Sequence, residues 1–260
     1  MSKIKNLGKA VCVAFSIYSK IPMPKFDWAS EDMKYHLCFF PWIGAVIGAC
    51  SIGLDWLACR WGINELFRIC ILMALPLMIT GGFHADGFMD TMDALHSYQD
   101  KNRKLEILKD PHIGAFSVIM LALYGVLYLG FLSGITSSFI VIYGGCFFLT
   151  RALSGILVVM MPGAKKDGML SATKQTADGK IIGAVLGLQI LVVVAALFLY
   201  DIRASVLIVL VLFGSVMHFM HLCKKEFGGI TGDLSGYFVV SSQLYCTVCL
   251  SMLSVILERL

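Results

Sequence analysis

Apolar residues run along this chain in long blocks rather than in alternation. Seven stretches, 37–59, 66–83, 113–135, 139–161, 181–200, 204–223 and 235–257, approach or exceed the length of a membrane-crossing helix, which needs about 20 residues. In hydrocarbon a backbone must satisfy its own hydrogen bonds, and a helix does so within one segment. The pattern therefore predicts an all-α, polytopic integral membrane bundle of about seven transmembrane helices, as one membrane-embedded domain spanning 1–260. The third stretch is the cleanest, with no charge from Ile113 to Ile135. The second is short and ends in Thr80-Gly81-Gly82. Asp55 stands near the end of the first stretch and Arg151 well inside the fourth. An N-terminal amphipathic segment, 5–20, is expected to lie on the membrane surface or to re-enter it.

Composition agrees. The chain is 58% apolar and 15% charged, with a mean hydropathy of +0.81, against roughly 45–50% and about 25% for a soluble domain. That excludes a disulfide scaffold, a disordered chain and most soluble enzymes. The net charge of +4 is small, and its placement says more than its size. With seven spans, one side receives the N-terminal region and the loops 84–112, 162–180 and 224–234. Sixteen basic residues fall there, and only Arg60, Arg68, Arg203 and Arg259 on the other. By the positive-inside rule the first side is cytoplasmic. No basic cluster is interleaved with aromatics, so no nucleic-acid partner is expected. Nine cysteines are scattered, mostly through apolar runs. Cys246 and Cys249 form a C-x-x-C with no second pair, which reads as helix packing rather than zinc or redox chemistry.

The densest acidic run follows the second stretch: Gly82-Phe83-His84-Ala85-Asp86-Gly87-Phe88-Met89-Asp90-Thr91-Met92-Asp93-Ala94-Leu95-His96. With 86–97 helical, at 100° per residue, Asp86, Asp90 and Asp93 share one narrow stripe. Three like charges raise one another's pKa, and a divalent cation removes that penalty. Hard oxygen ligands suit Mg²⁺ or Mn²⁺, and Mg²⁺ joins carboxylates to substrate phosphates. The plainer account is a solvated acidic face. Against it, no Lys stands at i±4, and the other side of the helix carries Phe88, Met89, Met92 and Leu95.

Other cytoplasmic residues look like partners of that cluster. Arg103, Glu106 and Asp110 would share a second stripe, ended by Pro111. Lys109 is either a phosphate contact or a snorkelling helix-end lysine. Lys165 and Lys166 lie in a glycine-spaced basic turn, and Gly228-Gly229-Ile230-Thr231-Gly232-Asp233 offers close backbone approach to an anion. Arg151 is an intramembrane cation and so a functional candidate; a structural pair with Asp55 or with backbone carbonyls is the alternative. His84 and His96 lie near the carboxylates, where either proton transfer or packing would account for them. His218 and His221 read as interfacial or packing residues.

With these residues laid out, the chain resembles the cobalamin synthase family (adenosylcobinamide-GDP ribazoletransferase). The likeness runs from Ser16-Ile17-Tyr18-Ser19-Lys20-Ile21-Pro22-Met23-Pro24 through Phe40-Pro41-Trp42-Ile43-Gly44 to the aspartate motif. It continues through Arg103, the run Glu106-Ile107-Leu108-Lys109-Asp110-Pro111-His112-Ile113-Gly114-Ala115-Phe116, and Gly228–Asp233. Lys20 stands where the family usually has Arg, Lys165-Lys166 and Asp167-Gly168 fill a loop that often reads Arg-x-x-Gly, and Leu234-Ser235-Gly236-Tyr237 replaces Leu-Gly-Ala. The resemblance implies a Mg²⁺-dependent enzyme of the bacterial cytoplasmic (inner) membrane, with its active site facing the cytoplasm. It would join α-ribazole, or its 5′-phosphate, to adenosylcobinamide-GDP and release GMP, the last step of cobalamin nucleotide-loop assembly. Membrane lipid surrounds it, and a second copy or other enzymes of the pathway are admissible partners.

On this reading Asp86, Asp90 and Asp93 hold the metal. Asp93, or alternatively Asp110, is the base, and Lys109 assists. Arg103, Lys165, Lys166, Arg151, Gly229, Thr231 and Asp233 bind substrate. Two rival readings have different requirements. A lipid-specific CDP-alcohol phosphotransferase would need Asp-x-x-Asp-Gly and a later Gly-x-x-x-Asp-x-x-x-Asp, which differ from the motif present. A cation transporter would need carboxylates along a path between two accessible sides, whereas the acidic cluster here sits on one.

Overall fold

The structure is a computed structural model that describes residues 2–24, 26–27, 29–165 and 168–257. Its regular elements are helices α1 (Ser2–Tyr18), α2 (Phe40–Trp61), α3 (Glu65–Thr80), α4 (Phe83–His96), α5 (Lys101–Ile107), α6 (Ala115–Leu132), α7 (Ile140–Met160), α8 (Met169–Thr176), α9 (Gly179–Tyr200), α10 (Ile202–Leu222) and α11 (Gly232–Leu257). Six are long and apolar enough to cross a membrane: α2, α6, α7, α9, α10 and α11. α3 is short and qualifies only jointly with α4, from which it is bent by 94°. The expected seven spans are thus six helices and one broken pair.

α7 is the axis of the bundle. Its side chains from Cys146 to Ala152 are all buried, and α2, α9 and α11 pack around it. Small residues set its distance from α2. A Cβ on Gly44 would lie 2.1 Å from the Phe147 carbonyl oxygen, and one on Gly48 would lie 2.5 Å from that of Gly144. Between membrane helices, where lipid is as apolar as leucine, such close approach replaces a hydrophobic driving force. α9 and α10 sit on the periphery and expose Leu188, Leu191, Leu210 and Phe213.

Charge inside the bundle is placed differently from one sequence expectation. Asp55 pairs with Arg68 of α3 at 2.6 Å, not with Arg151. Arg68 also grips Glu65, one turn back on its own helix. Arg151 instead donates to the Phe147 carbonyl at 3.0 Å and lies over the Phe147 ring. All nine cysteines are free, and Cys246 meets Cys146 of α7 rather than forming a pair with Cys249.

α4 is the element that makes the site. Gly81 and Gly82, with φ of 65° and 81°, turn the chain out of α3, a conformation open to glycine and strained for other residues. The helix then runs across the end of the bundle. Near its start Gly87 meets the backbone of Asp233 on α11, and near its end Asp93 meets Gly114 and Ser117 at the start of α6. It is not one of the six helices long and apolar enough to cross a membrane alone. Its inner side is anchored by Phe88, which stacks on Tyr237 with ring centroids 5.8 Å apart.

Candidate active site

The outer side of α4 carries the carboxylates. Asp86 is exposed and Asp90 half-buried. Burial, and then the neighbouring Asp86, Asp233 and Asp93 carboxylates, push Asp90 up to about 6, with Lys165 opposing. Like charges held together in partial burial have this effect. Asp93 faces elsewhere. Its two carboxylate oxygens accept from the backbone N–H groups of Gly114, at 2.7 Å, and Ser117, at 2.9 Å. It therefore caps α6 from a different helix, satisfying orphan donors at a positive helix end. A Cβ on Gly114 would lie 2.4 Å from that carboxylate, which explains the glycine.

The opposite wall comes from two loops joined to each other. Gly163 and Ile230 form a parallel bridge: Ala164 N–H donates to the Ile230 carbonyl and Ile230 N–H to that of Pro162, both at 2.9 Å. Gly229 is pressed against the Pro162 carbonyl, where a Cβ would lie 2.6 Å away. The bridge sets Lys165 3.6 Å from Asp233. Thr231 accepts from Leu234 N–H at 3.2 Å and donates to Asp233 at 3.4 Å, holding the first turn of α11. Asp233 thus belongs with the α4 carboxylates, a neighbourhood the sequence reading, which placed it among substrate ligands, did not include. Between the walls lies a cleft of about 300 Å³, lined by Asp86, Lys165, Thr231, Asp233, Thr173 and Phe40 among others.

Other residues named from sequence are not brought to this cleft. Asp110 is exposed and bound to His112, whose backbone N–H and ring hold it below the usual carboxylate range. It is a weak base. α5 ends at Ile107, so Asp110 does not continue the Arg103–Glu106 stripe. Arg103 and Glu106 pair at 2.6 Å on the exposed side of α5. Lys109 is exposed at the end of that element. Arg151 is buried beneath α4, and Lys166 lies outside the described residues. His84, in contrast, does line the cleft; it is buried and stacks on Phe40, ring centroids 5.5 Å apart. His96 Nδ1 donates to the Met92 carbonyl at 2.8 Å, and the ring stacks on Phe116.

Sequence reasoning missed two contributions. α8 puts Ser171 and Thr173 on the cleft wall, yet eight residues with little apolar character leave no periodic signal. Lys104 is buried and paired to Glu226 at 2.5 Å, which ties α5 to the π-helical turn Cys223–Phe227 that extends α10. Among the described residues no three His, Cys, Asp or Glu side chains come together as a group that could hold a metal ion. The cluster presents carboxylate oxygens on an open wall instead.

A model of the family described as cobalamin-5-phosphate synthase matches residues 10–251. The chain is 39% identical over 236 residues to an adenosylcobinamide-GDP ribazoletransferase of Lachnoclostridium phytofermentans, covering 89% of each chain. It is 31% identical over 242 residues to one of Clostridium perfringens, covering 91% of this chain and 95% of that one. It is 31% identical to one of a Geobacillus species over 88% of this chain and 91% of that one. No solved structure matches. With a family model matching residues 10–251 and relatives aligned over about nine-tenths of each chain, this chain belongs to the cobalamin-5-phosphate synthase family.

Proposed function

We propose that the protein is a Mg²⁺-dependent adenosylcobinamide-GDP ribazoletransferase of the bacterial inner membrane, working at its cytoplasmic face. The observation that carries this reading is the gathering of charge at one cleft: Asp86, Asp233 and Lys165 line it, with Asp90 next to them. In the reaction a ribose hydroxyl of α-ribazole, or of its 5′-phosphate, attacks the cobinamide-side phosphorus of the diphosphate. The bond from that phosphorus to the bridging oxygen breaks, and GMP leaves with the bond's electron pair. Such transfers ask a protein mainly for position and charge.

The residues suit Mg²⁺. The donors are hard oxygens, the elevated Asp90 is relieved by a cation, and an open wall with two carboxylates matches a metal that keeps several waters and binds substrate phosphates. Asp86 and Asp90, one turn apart, would hold it, and when bound it supplies charge neutralisation at the diphosphate. Asp233, across the cleft, takes the hydroxyl proton. Lys165 contacts the diphosphate. Asp93, committed to α6, positions α4 rather than touching substrate.

The test is protein in vesicles given adenosylcobinamide-GDP and α-ribazole with Mg²⁺ or with EDTA. A corrinoid product and GMP are expected with Mg²⁺ only. Absence of product would overturn the activity. Full activity in Asp86→Asn or Asp90→Asn protein would overturn the metal assignment.

A further inference from the structure

A second chamber, of about 290 Å³, lies beneath α4 among α3, α6, α7 and α11. His84 borders both this chamber and the cleft, and Ala85 is in its roof. The walls are mostly apolar and aromatic, with Tyr124 and Phe147 among them. Among the polar side chains that also line it are His84 of α4, Arg151 of α7 and Gln243 of α11. All three are buried, at 4%, 2% and 4% exposure. Both His84 ring nitrogens, Arg151 Nε and both Gln243 amide atoms make no well-formed hydrogen bond in the protein, although the Tyr128 hydroxyl lies close to Gln243. Buried polar atoms are normally paired, and each one left unpaired costs about 1–3 kcal/mol. Five such atoms around one chamber point to a ligand that pairs with them.

The ligand's chemistry follows from the walls. A hydrocarbon chain would leave all five atoms unpaired. A corrin macrocycle exceeds the volume, which lies at the small end of ligand pockets, roughly 300–1,000 Å³. A flat two-ring heterocycle with an in-plane acceptor nitrogen fits the volume and answers one of these donors: its faces stack on the aromatic walls and its nitrogen accepts from Arg151 Nε or the Gln243 amide. We propose that this chamber seats the aromatic base of the ribosyl acceptor, with His84 and Ala85 at the threshold and the ribose reaching Asp86 in the cleft. The inference rests on the ribazoletransferase reading. It makes Arg151 and Gln243 the groups that select the base.

Two variants test it. Gln243→Leu removes hydrogen-bonding capacity at nearly constant volume, and Val240→Phe fills the chamber from the same helix. Each, in lipid nanodiscs, is assayed for turnover and for α-ribazole binding by calorimetry without the second substrate. The expected result is a rise of tenfold or more in KM and Kd for α-ribazole, with KM for adenosylcobinamide-GDP within twofold. Wild-type protein should also reject an indole riboside that lacks the in-plane nitrogen, and Gln243→Leu should lose that discrimination. Unchanged α-ribazole binding in both variants overturns the proposal and makes the chamber a hydrated or lipid-filled structural void. Equal effects on both substrates overturn it as well. A wild-type protein that binds α-ribazole but makes no corrinoid product refutes the activity and leaves the chamber assignment standing.

Discussion

Single carboxylates on α4 differ in what their oxygens are already doing. Asp93 holds two backbone N–H groups of α6, so its loss is a matter of stability. Asp93→Ala should cost about 2 kcal/mol, the order of a helix cap or a charged hydrogen bond, read as a lowered melting temperature in detergent. Asp86→Asn should leave melting unchanged and abolish turnover. Asp90 gives a dependence on pH. Its folded pKa is raised to about 6 from an ordinary 3.8, so between these values the folded, metal-free protein binds more protons than the unfolded chain. Its stability therefore falls as pH rises through that window. Asp90→Asn should raise the melting temperature of metal-free protein at pH 7.5 by a few degrees and leave it unchanged below pH 4. A scan of melting temperature against pH, with EDTA present, checks the sign.

At the scale of elements, the site depends on α4 lying close to α11. A Cβ on Gly87 would come within 2.7 Å of the Asp233 carbonyl and 2.9 Å of its Cα. Both are backbone atoms, so neither can rotate away. Gly87→Ala should push Asp233 from the α4 carboxylates and lower kcat at least tenfold while the protein still folds. Gly44→Leu, in contrast, strikes the α2–α7 packing at the axis and should abolish folded protein, seen as loss of a monodisperse peak on gel filtration. The spans were legible in the sequence because lipid length and apolarity report directly on a crossing helix. The Asp86–Asp90 stripe was legible because i and i+4 fix a common side. What the stripe faces was not. The partners of Asp90 and Asp93 lie on α11 and at the start of α6, and the Asp55–Arg68 pair joins α2 to α3. Sequence spacing carries no information on such contacts between elements, and two helical residues with opposite charges, Asp55 and Arg151, look like a pair until packing places them.

For the molecule as a whole, charge asymmetry sets orientation. If sixteen basic residues hold one side in the cytoplasm, then Cys59, exposed near the far end of α2, faces the opposite compartment. A single-cysteine variant retaining Cys59 should react with a membrane-impermeant maleimide in right-side-out vesicles and stay unlabelled in inside-out ones. The reverse pattern would invert the topology and move the cleft out of the cytoplasm.

α11 lies far beyond α4 in the chain, yet it supplies Asp233 and the surface on which Gly87 and Phe88 of α4 rest. The aspartates of α4 therefore stay without their counterpart until α5 to α10 have been made. A chain interrupted before α11 carries the acidic stripe without Asp233, and so only part of the site. Completion of the site is thus tied to the order in which the helices are made.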